Sequence, residues 1–337
     1  MKRLTLCAAL LAGLALAGCQ VPIGHKSAKV VEVIPGPSGS WDFATFDVAR
    51  GRVLISRDDG VSALDVATGE IRHVASGQKV HQSFALPDGR LFLTNGGQNT
   101  ATLIDGTTGE LLATIPVGTD PDAAILDPAS GDVFVMNSKS NDISIIDLEA
   151  NRSAGRIMVG GGLEGAAVDG RGLLYVNLAD TAEIAVIDTR ARIVRLHYKL
   201  SNCQQPTGLA FIPAGRLLVS TCGNGHAKVI RADDGREVAD VVIGPHPDAA
   251  LFDEHRNLVF IPSAGSLTKN GQITVLRVGV AGAITVAQTI ATQRGARTVA
   301  EDPATGRLYL PTGTYKVSLD GKPKVIPGTF RILVVAP

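Results

Sequence analysis

One phrase recurs seven times along this 337-residue chain: a turn, then a short apolar run. It reads "ARGRVLIS", "PDGRLFLT", "ASGDVFVM", "GRGLLYVN", "PAGRLLVS", "EHRNLVFI" and "ATGRLYLP". The turn residues are Gly51, Gly89, Gly131, Gly172, Gly215, Asn257 and Gly306, spaced 38 to 49 residues apart. A second phrase follows each, such as "ATLIDGTTGE" and "ISIIDLEANR", and a third, such as "LLATIPVG", closes most units. The near-verbatim Pro-Asp-Ala-Ala-x-x-Asp at Pro121 and Pro247 is the same repeat met three units apart.

Each phrase is short, rich in Val, Ile and Leu, and bounded by Gly, Asp, Asn or Pro, which is a strand signal. Four strands per unit, inner A to outer D, at a period near 42 fit β-propeller blades. The expected fold is all-β, a seven-bladed propeller of four-stranded blades. The A strands carry Ala123, Ala124, Ala166, Ala167, Ala249 and Ala250, and small side chains suit the crowded axis. The last unit ends at "FRILVVAP" without an outer strand, while "AKVVEVIPG" at 28–36 precedes the first A strand with no unit of its own. That segment is expected to supply strand D of the last blade, hiding an unpaired edge. Residues 28–337 then form one domain, expected to be a monomer.

The stretch "VFVMNSKSNDISIIDLEANRSAGRIMVG" resembles the YVTN-type β-propellers, including the YncE-type periplasmic propellers of bacteria. The resemblance covers essentially the chain after its first residues and implies seven blades. It departs at Arg231 and Arg277, which replace the Asp found at Asp65, Asp105, Asp147 and Asp188. That recurring Asp is expected to cap the C–D turn. The resemblance says little about chemistry, since one fold hosts many functions.

"MKRLTLCAALLAGLALAGC" has two cations, an apolar run too short to span a bilayer comfortably, and small residues before Cys19. It reads as a signal peptide over 1–18, and Leu16-Ala17-Gly18-Cys19 looks like a bacterial lipobox. Cys19 is then the lipidated residue, 19–27 a tether, and the protein is anchored to an envelope membrane with its body in the periplasm. Gln20 after the cysteine favours the outer membrane by resemblance to enterobacterial sorting rules. Without the signal, 30 cations face 32 anions, a poor balance for binding nucleic acid. Of four cysteines, only Cys203 and Cys222 remain. Cys203 lies before strand A of blade 5 and Cys222 ends its strand B, the same end of one antiparallel pair, so a disulfide is expected.

No nucleophile elbow, phosphate loop, zincin motif or haem-attachment motif occurs, and the lone Trp41 argues against a quinone-docking propeller. Candidate function comes from aligning the A strands. Their second position is Asp42, His81, Asp122, Glu164, Thr207, Asp248 and Arg297, all polar. Equivalent positions share one height, so these residues are expected to ring one channel mouth. Arg57, Asn95, Asn137, Asn177, Thr221, Ser263 and Thr312 end the B strands at that mouth, and His246 enters just before Asp248. Gathered carboxylates repel unless offset, which makes Asp122, Glu164 and Asp248 candidate ligands for Ca2+ or Mg2+. The leading expectation is a non-enzymatic binding scaffold for a small molecule, glycan or envelope protein. A metal-dependent lactonase-type hydrolase, implied by resemblance to seven-bladed sugar lactonases, is the alternative. Single-stranded DNA binding, attached to YncE-type propellers as a family, comes third.

Overall fold

In a computed structural model, residues 27–317 and 323–336 are described; the expected signal segment and Cys19 lie outside them. Seven four-stranded antiparallel sheets follow one another. In blade 3 the order is Pro121–Leu126, Val133–Asn137, Asp142–Asp147 and Arg152–Met158, from inner to outer strand. The same order recurs in blades 1, 2, 4, 5 and 6. Among the described residues there is no α-helix, only a 3-10 turn at Val280–Gly282.

Strands B and C are buried on both faces, as in Leu217–Cys222, where every residue is buried. A strand covered on both sides reads as a continuous apolar run rather than an alternation, hence the seven recurring phrases. Outer strands are half exposed, as in Glu237–Val242. The apolar residues form seven clusters, each spanning two neighbouring blades. One joins Phe134, Met136 and Ile145 of blade 3 to Leu174, Val176 and Ile187 of blade 4. Another joins Val53 and Ile55 of blade 1 to Tyr309 and Ile332 of blade 7, so the ring is unbroken. Near the axis the inner strands crowd: a Cβ on Gly208 would lie 2.3 Å from the Ala249 carbonyl carbon. Backbone at that distance cannot yield, which leaves glycine as the residue that fits there.

Blade 7 is closed by the chain's two ends. Lys29–Pro35 pairs antiparallel with Arg331–Ala336, Val33 opposite Leu333. Gln288 on the outer strand of blade 6 clasps Ala28, accepting from its N–H at 3.1 Å and donating to its carbonyl at 2.7 Å. Between strands B and C of this blade stands a hairpin, Tyr315–Val317 with Pro323–Val325, which the repeat does not predict. The recurring Asp caps its turn: Asp147 Oδ1 accepts from the N–H groups of Glu149 and Ala150, and Asp65, Asp105 and Asp188 do the same in their blades. Cys203 and Cys222 are joined by a disulfide, their Cα atoms 5.2 Å apart.

Candidate functional site at the channel mouth

Each inner strand begins at one mouth of the channel, and in blades 2 to 5 a local break in pairing frees its second residue. In blade 3 the register shifts between Pro121 and Ala123, leaving Asp122 outside the ladder. The same shift frees His81, Glu164 and Thr207. A bulge bends the strand and turns the extra side chain away from the sheet. Two residues earlier the backbone takes a left-handed turn at Lys79, Asp120, Gly162, Gln205, His246 and Gly295. Blades are also tied at this level: Phe43 N–H donates to the His81 carbonyl at 3.1 Å, and Thr298 Oγ1 to the Asp42 carbonyl at 2.9 Å.

Five of the second-position residues form a linked arc, Asp122–His81–Asp42–Arg297–Asp248, and Glu164 feels the charges of three of them. His81 Nδ1 lies 2.7 Å from Asp42 Oδ2 and 3.1 Å from Asp122 Oδ1. Arg297 Nε reaches Asp248 at 2.9 Å, and its Nη2 lies 4.0 Å from Asp42. Thr207 instead donates to the Pro247 carbonyl at 2.9 Å. Burial pushes Asp122 up to about 7, with His81 opposing and the Asp42, Asp248 and Asp120 charges adding to the rise. Burial and the Asp122, Asp248 and Asp42 charges push Glu164 up to about 8. Asp248 rises to about 6 through burial, with Arg297 opposing. Burial opposes a charged His81, but its bond to Asp42 and the neighbouring carboxylates raise it on balance.

Not every expected residue faces the channel. Arg57, Asn95, Asn137 and Asn177 are buried. Arg57 Nη2 donates to the carbonyls of Pro37 and Ser38, at 2.9 and 3.0 Å, and its guanidinium covers the Phe330 ring. Asn95 binds Thr102 Oγ1, Asn137 binds Asp142 and Ser144, and Asn177 donates to the carbonyls of Thr207 and Gly208. These four are turned into the protein rather than toward the channel, although Arg57 Nε and Nη1 and Asn137 Oδ1 find no partner there among the described residues. His246 is exposed on the rim, two residues outside the ring. Of the expected metal donors, only Asp122 belongs to a compact donor group, and its companions are Asp42 and His81.

An outer layer went unread in the sequence. Asp120 is held by Lys79 at 3.0 Å and Lys139 at 3.1 Å. Burial alone would raise Asp120, but these two cations outweigh it and bring it down to about 2. Tyr315 of the inserted hairpin packs edge-on against Trp41 at 5.9 Å, its backbone carbonyl accepting from Arg294. Burial raises the Tyr315 phenol, with Arg297 and Arg294 opposing. The left-handed position two residues before the ring recurs in six blades as Lys79, Asp120, Gly162, Gln205, His246 and Gly295, residues of no common type, so the repeat announces neither Asp120 nor Tyr315.

The fold and this ring define the class: a seven-bladed β-propeller with a charged channel mouth. No family model matches the chain, and no curated protein does. Among solved structures it is similar to a chain of the "Crystal Structure of Mitotic Checkpoint Complex", at 15% identity and TM-score 0.75, covering 100% of this chain and 99% of that one. It is also similar to a chain of "Kuenenia stuttgartiensis Hydrazine Synthase", at 16% identity and TM-score 0.71, covering 87% and 96%. At such identities the likeness establishes the fold alone.

Proposed function

We propose that this is a lipid-anchored envelope propeller of the YVTN-repeat, YncE-like kind, working as a non-enzymatic binding scaffold on the periplasmic side of the outer membrane. Its ligand is a small cation-bearing molecule seated over the channel mouth. One observation carries the reading: Asp42, Asp122, Glu164 and Asp248, from four different blades, gather around one axis with Arg297 and His81 as the counter-charges among them. Partly buried carboxylates in mutual repulsion are stabilised by a cation that completes them. Single-stranded DNA is disfavoured because the chain's 32 cations are matched by 32 anions and, among the described residues, the mouth presents no cluster of cations for phosphate. A divalent-metal hydrolase of lactonase type is the second reading, favoured by the convergence of Asp42, His81 and Asp122.

Calorimetry with 1,4-diaminobutane and glucosamine as probes tests the binding reading. Asp122→Ala combined with Asp248→Ala is expected to weaken binding at least tenfold while the circular dichroism spectrum is unchanged. A parent that binds neither amine, or a double variant that binds like the parent, overturns it. A lactone-hydrolysis screen on the same preparations reads the second possibility.

A further inference from the structure

The mouth carries a narrower assignment, which rests on its proposed role as the binding site. We propose that Asp42, His81 and Asp122 form a site for one first-row transition-metal ion, with His81 Nδ1 and one oxygen of each carboxylate as ligands.

The three donor atoms lie within 4.8 Å of one another. His81 Nδ1 faces Asp42 Oδ2 at 2.7 Å and Asp122 Oδ1 at 3.1 Å, yet a ring nitrogen carries at most one hydrogen. Two acceptors therefore compete for one proton, whereas an ion in its place engages all three atoms. A tetrahedral ion about 2 Å from each donor sets them roughly 3.3 Å apart, which moves His81 Nδ1 only slightly outward from each of the two carboxylate oxygens.

The other side of the ring supplies an independent observation. His81 Nε2 is buried and has no hydrogen-bond partner. Asp120 Oδ1 waits 3.5 Å away, anchored by Lys79 and Lys139. A neutral ring with its hydrogen on Nδ1 leaves Nε2 as a buried lone pair beside a carboxylate, and a protonated ring directs an Nε2 hydrogen at Asp120 across 3.5 Å without closing a hydrogen bond. With a metal on Nδ1, the hydrogen moves to Nε2 and points at Asp120. That carboxylate–histidine–metal arrangement is how ligating histidines are oriented.

The imidazole also selects the ion. Nitrogen donors suit zinc, cobalt, nickel and copper, while Ca2+ and Mg2+ favour all-oxygen sets. Three protein donors leave a coordination position open toward the channel.

The test uses the tag-free full chain, stripped with chelator, titrated with Zn2+ in competition with a chromophoric chelator and with Co2+ by visible absorption. One Zn2+ per chain is expected, with Ca2+ and Mg2+ at least a hundredfold weaker. His81→Gln is expected to lower Zn2+ affinity at least a hundredfold. Asp120→Asn is expected to lower it about tenfold or more while the Co2+ band persists, because the ligands are untouched. If His81→Gln loses its native circular dichroism, Asp42→Asn takes its place. No uptake of either metal, equal affinity for Ca2+, or unchanged binding in the ligand variant overturns the assignment. Amine binding by the metal-free protein together with failed Zn2+ uptake sinks this inference alone. Zn2+ uptake without amine binding sinks the broader reading and leaves the metal site.

Discussion

Glu164, Asp122 and Asp248 stand at about 8, 7 and 6, well above an ordinary carboxylate. The folded protein therefore keeps protons that the unfolded chain has released above roughly pH 4. The stability they contribute is complete below that point and is lost as pH climbs through the three folded values. The raised His81 acts in the same direction. The melting temperature of ion-free protein is expected to fall between pH 5 and 8.5, and Glu164→Gln to flatten the upper part of that decline. A flat or rising profile in the parent counts against this account of the ring. Asp120, held near 2, works the other way, and its contribution is lost only in acid. The ring residues were legible because seven aligned strands placed polar side chains at one shared position. Arg57, Asn95, Asn137 and Asn177 were misread because a polar strand end looks the same whether it meets water or a neighbouring backbone.

At the level of strands and turns, repetition made most of the molecule readable. A capping Asp closes the C–D turn in blades 1 to 4. Where Arg231 replaces it, Asp234 takes over, accepting from the Arg236 N–H at 3.0 Å. Where Arg277 replaces it, the turn is rebuilt around the 3-10 segment Val280–Gly282. The bulges that aim His81 and Asp122 were invisible, because a one-residue shift in pairing leaves no mark on composition. The hairpin at Tyr315 was missed for a related reason: it is an insertion, and a repeat predicts only what repeats. The disulfide belongs to this scale too. It joins cysteines 19 residues apart, a loop whose closure is worth about 3 kcal/mol through the unfolded chain. Replacing both cysteines by serine is expected to cost about that much in urea denaturation; a loss below roughly 1 kcal/mol would mean that the surrounding core already holds the loop closed.

The whole ring depends on one junction of distant sequence. Seven inter-blade clusters make each blade a neighbour of two others, so an open ring loses more than one strand. Deleting Lys29–Pro35 bares the edge of Arg331–Ala336 and removes Val30 from the cluster that joins blades 6 and 7. The deletion is expected to lower the melting temperature and to yield oligomers in light scattering, since an unpaired edge recruits other strands. A monomer of unchanged melting temperature would show that closure rests on side-chain packing alone.

That junction also sets a direction. Arg331 pairs with Thr312 at the end of strand B, which is the mouth end, and with Pro35. Lys29, opposite Ala336, is therefore at the far end of the blade. The chain enters the propeller on the face remote from Asp42, His81 and Asp122. Residues 19–27 reach at most about 30 Å, so an anchor at Cys19 would hold the propeller like a cup by its base. Under that proposal the rim would open away from the bilayer, toward whatever diffuses past.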